Sequence, residues 1–242
     1  MNNLGLRLRR KWLAKTAPVF PSYEAALGAS KGYVSDDILE TVKRKSAAWA
    51  LRKHELPQSA GLAILQTALN LLDRPHVIDF GGALGSHYWQ LKGRPMRWSV
   101  VETAAMAALG KPTEELSFYD GLAKAGPADI VYCSSVLPYV PDPFAMAREL
   151  ATVPARMIVV DRQYLHPGSG YGLQYSLLSE NGPGPLVGTA DRIVAYPFAF
   201  IEEAALVAAF SPWTLIARVP TDEALTVSGR RCDAKVLVFS RP

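Results

Sequence analysis

The sequence predicts an α/β fold: seven strands, mostly parallel, with helices on both faces and an antiparallel strand at the end. Three observations predict it. Short apolar runs end in an acid at Asp79, Glu102, Asp120 and Asp161. Helix-like segments separate these runs, the alternation that builds a parallel sheet. The last two runs, 213–219 and 235–239, are joined by a short polar linker containing Ser228-Gly229, which favours an antiparallel pair at the sheet edge.

The 242 residues suit one α/β domain with an appendage, and 49% hydrophobic content supplies a large core. The formal charge of +4 is too mild to call for nucleic acid, which selects a clustered basic face. Cys133 and Cys232 stand far apart, without zinc spacing or a disulfide framework, so a reducing, cytoplasmic location is the expectation. No run is apolar enough to span a bilayer, and Lys15 and Pro18 interrupt what would be the core of a signal peptide.

Residues 1–58 form a basic arm and a helical extension, and 59–242 the main domain. The arm carries Arg7, Arg9, Arg10, Lys11 and Lys15 without an acid, interleaved with Leu4, Leu6, Leu8, Trp12 and Leu13. It reads either as a solvated, frayed arm or as a peripheral anchor on an anionic membrane or a partner. Its apolar residues do not sort cleanly to one helical face, which favours the solvated arm. Ser35-Asp36-Asp37 starts a helix that runs to about His54, before Pro57. A second helix begins after Ser59, with Leu62, Leu65, Leu69 and Leu72 as one stripe.

The strands follow at 77–79, 97–101, 116–119, 129–133 and 157–160, with helices at 104–109 and 143–150 between them. Residues 162–200, rich in Gly, Pro and Tyr, read as a long inserted substrate loop. A helix at 201–210 precedes the final strand pair.

The chemistry centres on Asp79-Phe80-Gly81-Gly82-Ala83-Leu84-Gly85. A strand, a glycine turn and a helix make a nucleotide site at the carboxyl edge of a sheet. The spacing departs from the Gly-x-Gly-x-x-Gly dinucleotide fingerprint, and no Gly-Lys-Ser/Thr follows. Glu102 suits a ribose diol, because a carboxylate accepts two hydrogen bonds. An anion at Asp79 is ill placed beside a pyrophosphate but suits a sulfonium cofactor carrying an ammonium group. S-adenosylmethionine is therefore the expected cofactor.

Four segments in order, 78–86, Ser134-Ser135-Val136-Leu137-Pro138-Tyr139-Val140-Pro141-Asp142-Pro143, Val160-Asp161-Arg162 and Ala195-Tyr196-Pro197, sharpen this reading. With them the chain resembles the class I S-adenosylmethionine-dependent methyltransferases. More narrowly, it is similar to a family of methyltransferases associated with bacterial surface-polysaccharide gene clusters. The resemblance covers roughly residues 60–220. It implies that Asp79, Gly81, Gly82, Ala83 and Gly85 line the methionine part of the cofactor. Glu102 would hold the ribose and Asp120 face the adenine amino group. Ser134 and Ser135 would lie near the sulfonium, and His87, Tyr88 and Trp89 cover the cofactor, with helix core as the other reading of Trp89.

A sugar hydroxyl acceptor also calls for a base. The candidates are Asp161, Tyr164 and His166, with Asp142 and His87 less favoured. Arg162 suits an acidic acceptor, and Gln174, Tyr175 and Tyr196 suit a sugar pocket. No carboxylate cluster suggests a metal. The expected activity is metal-independent methylation of a sugar or nucleotide-sugar-like precursor of a surface glycan. Two alternatives stay open: a catalytically inactive cofactor-binding scaffold of the same fold, and an NAD-linked oxidoreductase. The oligomeric state is left open.

Overall fold

In a computed structural model the described residues are 3–33, 35–50, 59–93, 95–186 and 188–241. Four helices come first: α1 (Asn3–Thr16), α2 (Tyr23–Gly28), α3 (Asp36–Ala50) and α4 (Ala60–Asn70). Then β1 (His76–Phe80), α5 (Ser86–Leu91), β2 (Arg97–Val101), α6 (Ala104–Ala107), β3 (Leu116–Tyr119), α7 (Leu122–Ala125) and β4 (Ile130–Ser134) alternate. After α8 (Pro143–Thr152) and β5 (Met157–Leu165) come β6 (Tyr171–Leu177) and β7 (Ile193–Ala199). The chain closes through α9 (Glu203–Ala209), β8 (Thr214–Val227) and β9 (Arg230–Ser240).

Seven strands form one sheet in the order β3-β2-β1-β4-β5-β9-β8. The first five are parallel, and β9 runs antiparallel to both β5 and β8. Chain order reverses at β1, with β2 on one side and β4 on the other. Such a switch point opens a crevice at the carboxyl ends of the strands.

Neighbouring residues of each central strand feed opposite cores, because side chains alternate across a sheet. Val77, Tyr132 and Val159 pack on one face with Leu62, Leu65 and Leu69 of α4. Ile78, Val131, Cys133 and Ile158 pack on the other with Ala147 and Leu150 of α8 and Leu206 of α9. Burial on both faces explains why these strands read as continuous apolar runs. The N-terminal ends of two covering helices are set by side chains the sequence marks. The Ser59 hydroxyl accepts from Leu62 N–H at 3.0 Å, and Asp142 accepts from Phe144 and Ala145 N–H, each at 2.9 Å.

Three expectations are revised. Residues 162–200 are not one loop: β5 continues through Asp161 to Leu165, and β6 and β7 form a separate two-stranded antiparallel sheet. The final pair is longer than expected, a hairpin turning at Ser228-Gly229, with Pro220 tolerated because β8 is the sheet edge. The basic arm is a helix docked on β6 and β8. Arg10 reaches both carboxylate oxygens of Glu180 at 2.6 Å, and Gly229 N–H donates to Ala14 O at 2.9 Å. The expected helix end near His54 and the boundary at residue 58 lie outside the described residues. Among those described, no helix is long and apolar enough to cross a membrane.

α3 is fastened to the segment between β6 and β7. The Lys45 ammonium is buried and donates to Ser179 O at 2.6 Å and Asn181 O at 2.8 Å. Burial lowers its pKa to about 8, while Asp191 and Glu180 pull the other way. Arg192 pairs with Asp37 at 2.6 Å. These contacts hold α3 against Ala83 and Leu84 of the glycine turn, through Ile38, Leu39 and Val42.

α4 approaches β5 closely at Gly61, where an added Cβ would fall 2.2 Å from the Asp161 carboxyl carbon. Alanine favours a helix over glycine by about 1 kcal/mol, but overpacking costs about 1–3 kcal/mol. The clash is with a buried carboxylate, so we expect it to win. Gly61→Ala should lower stability to urea unfolding; a gain would mean that α4 does not rest on Asp161 at this distance.

Candidate functional site at the carboxyl edge of the sheet

The crevice is framed by the ends of β1, β2 and β4. β1 delivers Asp79, which is fully buried. Its carboxylate accepts from Trp98 Nε1 at 3.2 Å and from His87 Nδ1 at 3.1 Å. Gly82 closes over it, and a Cβ there would lie 2.3 Å from Asp79 Oδ2. Gly81 has φ +72°, and a Cβ there would strike the Val136 side chain at 2.3 Å. These two glycines have a physical reason: one admits a left-handed turn, and the other leaves space for a buried charge.

Asp79 therefore does not present its oxygens directly to a ligand; His87 stands between it and the crevice. The His87 ring packs edge-on against Tyr132 at 5.1 Å between centroids, and its side chain is 21% exposed. Burial disfavours its charge, but Asp79 and then Asp161 outweigh that, and the pKa is raised above the ordinary histidine value. With Nδ1–H donated to Asp79, the neutral ring carries its lone pair on Nε2.

β2 ends at Glu102. Its Oε1 accepts from Ala83 N–H at 3.0 Å and its Oε2 from Thr103 N–H at 2.9 Å. Each oxygen keeps a further lone pair. Burial raises the Glu102 pKa, the two N–H bonds oppose this, and the charge of Asp79 adds to it. Tyr33, just before α3, packs on the same cluster as Ala83 and Leu84 of the glycine turn, and burial and then the charge of Glu102 raise its phenol pKa.

β4 ends at Ser134. The Asp161 carboxylate, fully buried on β5, gathers three hydroxyls on Oδ2: Ser59 at 2.5 Å, Tyr132 at 2.7 Å and Ser134 at 3.2 Å. Ser135 adopts φ +55° and its N–H donates to Asp161 O at 2.9 Å. Asp161 is thus a post joining α4, β4 and β5 through Oδ2, while its Oδ1 is buried without a hydrogen-bond partner among the described residues.

The other expected residues divide. Tyr88 turns away from the glycine loop into the core beside Trp98, with its hydroxyl on Glu115 at 2.9 Å, so it does not cover a cofactor. Trp89 packs on the same core, under Lys92. His166 follows the last residue of β5, and its N–H donates to Ile201 O at 2.9 Å. Its Nδ1 accepts from Gly168 N–H at 2.8 Å, so it shapes a turn and is not brought to the crevice. Asp142 caps α8. Asp120 is exposed at the end of β3, and Lys124 at 2.6 Å lowers its pKa.

Tyr164 and Arg162 meet over Glu223, with Tyr164 OH at 3.1 Å and Arg162 Nε at 2.9 Å from Glu223 Oε2. Gln174 accepts from Tyr139 OH at 2.8 Å and donates to Tyr196 OH at 3.4 Å. Tyr196 also shares a 2.7 Å hydrogen bond with Ser176. Tyr33, Tyr139 and Tyr196 pack mutually, with centroids 5.1–5.8 Å apart. One region therefore unites the turn after β4, the continuation of β5 and the β6–β7 sheet, with Tyr139 packed against the cluster that holds Tyr164 and Phe198. Among the described residues no group of three or more His, Cys, Asp or Glu side chains is placed to hold a metal.

Tyr33, Tyr139 and Glu223 are the residues that sequence reasoning missed. Tyr139 lies inside a recognisable motif. Tyr33 and Glu223 sit in the N-terminal extension and the edge strand, where no spacing marks them.

No family model matches the chain, and no curated protein matches it. Solved structures do. The amino pentose methyltransferase CalS10 from Micromonospora echinaspora, solved with S-adenosylmethionine, is 14% identical with a TM-score of 0.54 over 82% of this chain and 96% of its own. The CcbJ methyltransferase from Streptomyces caelestis is 16% identical with a TM-score of 0.52 over 86% of this chain and 100% of its own. The fold is that of the Rossmann-like methyltransferases. At these identities the likeness is one of fold.

The Asp79–His87 pair gives a stability test. A histidine whose folded pKa is raised stabilises fully below its unfolded pKa of about 6.5, and that contribution is lost as pH rises through the folded value. The melting temperature of the native chain should therefore exceed that of His87→Gln at pH 6 and converge toward it at alkaline pH. A difference that grows with pH would reverse the assignment of the pair.

Proposed function

We propose that this chain transfers a methyl group from S-adenosylmethionine to a hydroxyl of a sugar or related small molecule. The observation that carries the donor side is Glu102. Its two oxygens are each oriented by one backbone N–H and each retain a lone pair, the arrangement a vicinal ribose diol can use. The adjoining turn, with Gly81 and Ala83 in left-handed conformations, presents backbone to the amino-acid end of the cofactor. Asp120, beyond Glu102 at the sheet edge, is the residue for the adenine amino group, and Ser134 and Ser135 are those nearest the sulfonium. When bound, the cofactor supplies an electrophilic methyl group.

The rest of the work is alignment of an acceptor and removal of its proton. His87 is our base: Asp79 fixes its tautomer and leaves Nε2 to accept. Arg162, held by Glu223 beside Tyr164, offers a cation and a phenol to an acidic or phosphorylated acceptor. Gln174 and Tyr139 offer polar contacts to sugar hydroxyls. A glycan precursor as acceptor follows from the resemblance of the four sequence segments, and the amino pentose named for CalS10 is in keeping with it.

Calorimetry tests the donor side. The native chain should bind S-adenosylmethionine in preference to NAD, and Glu102→Ala should lose affinity by about 5- to 150-fold, the equivalent of about 1–3 kcal/mol for two charge-assisted hydrogen bonds. Unchanged affinity would remove Glu102 from the site, and tighter binding of NAD would replace the reading with an oxidoreductase. Binding without transfer to any sugar nucleotide or glycan fraction would favour the scaffold.

His87→Asn tests the acceptor side. It should lower kcat by about 100-fold or more and abolish the rise of kcat with pH, while cofactor affinity stays within about threefold. A variant that keeps the native pH profile would rule His87 out as the base.

A further inference from the structure

The N-terminal helix carries a surface that neither the fold nor the crevice uses. Gly5, Leu6, Arg10, Leu13 and Ala14 of α1 are half-buried, and they form the side turned to β6 and β8. That side is fully engaged through the Arg10–Glu180 pair and the Gly229–Ala14 hydrogen bond, and Ser228 Oγ donates to Pro18 O at 2.8 Å just beyond the helix. On the opposite side Leu4, Leu8 and Trp12 are 64%, 60% and 62% exposed. Spacing of four residues sets them in one stripe along the helix. The apolar residues of the arm thus do not sort to one face, as the sequence indicates: Leu6 and Leu13 dock on the protein, and Leu4, Leu8 and Trp12 form a second, exposed set.

The cations select the partner. Arg7, Arg9, Lys11 and Lys15 are exposed, α1 contains no acid, and none of the four forms an ion pair among the described residues. Lys11 and Lys15 follow Leu8 by three and seven residues, so they share its stripe. A protein laid over that stripe would desolvate both ammonium groups, which is costly unless acids meet them. At a bilayer surface the same lysines reach lipid phosphates while their stems and the Leu and Trp side chains enter the headgroup region. Trp12 suits that boundary, having an apolar ring and one N–H donor.

We propose that α1 is an interfacial helix that seats this protein on an anionic membrane surface, lying flat with Leu4, Leu8 and Trp12 inserted. The docking of its inner side on the β6–β7 sheet and the β8–β9 hairpin presets its orientation. This inference is independent of the chemistry in the crevice.

The test is cosedimentation of the full chain with phosphatidylcholine vesicles, with and without phosphatidylglycerol. The native chain should pellet with the anionic vesicles and not the neutral ones, and binding should weaken as salt is raised. A double variant, Leu8→Ala with Trp12→Ala, should bind about tenfold more weakly or worse. Lys11→Ala with Lys15→Ala should do the same, and both should melt at the native temperature because all four side chains are exposed. Failure to pellet with anionic vesicles overturns the proposal, as does binding that either double variant leaves unchanged. Concentration-dependent self-association without lipid that Leu8→Ala with Trp12→Ala abolishes would assign the stripe to a second copy of the chain and overturn it too.

Discussion

A buried carboxylate at the end of β1 sets the form of the crevice. Asp79 has no access to water, so its charge is met by Trp98 from β2 and His87 from α5. Meeting it requires that the chain turn back immediately after Phe80, which is why Gly81 is left-handed and Gly82 has no side chain. The same turn brings Ala83 N–H onto Glu102 and so links the first two strand ends. The acid, the two glycines, the histidine and the second acid are thus neighbours in one turn.

The second buried carboxylate organises the other side. Asp161 ties α4, β4 and β5 through three hydroxyls, and Gly61 lets the helix come down on it. Beyond it β5 runs on past the usual end of the parallel strands, pairing with β9 through Leu165. That extension carries Arg162 and Tyr164 to Glu223 of β8. α3 and the β6–β7 sheet close the region from above, held together by Lys45 and by Arg192–Asp37. The donor and acceptor sides thus have different supports: strand ends of the central sheet for one, added elements for the other.

The central sheet was legible because its strands are buried on both faces and end in acids. Val77, Val100, Val131 and Ile158 lie in unbroken apolar runs, and Ser59 and Asp142 announce their helices. Residues 162–200 were not legible because β6 and β7 make a small, partly exposed sheet. Gly172 and Pro197, which ordinarily argue against a strand, are accommodated where a two-stranded ribbon has free edges. Tyr88 was misplaced for a related reason: one residue of helix separates it from His87, and that rotation turns one side chain to Asp79 and the other to the core. Asp161 looked like a base because it follows a strand. Its burial, its three hydroxyl partners and the close approach of Gly61 are tertiary contacts that no spacing in the sequence marks.

A crystal structure with S-adenosylhomocysteine tests the central claim most directly. The account predicts the ribose hydroxyls within hydrogen-bond distance of both Glu102 oxygens, with the amino-acid end along Gly81–Gly85 and the sulfur facing His87 across the crevice. A ligand bound elsewhere on the chain, or with its ribose away from Glu102, would contradict it.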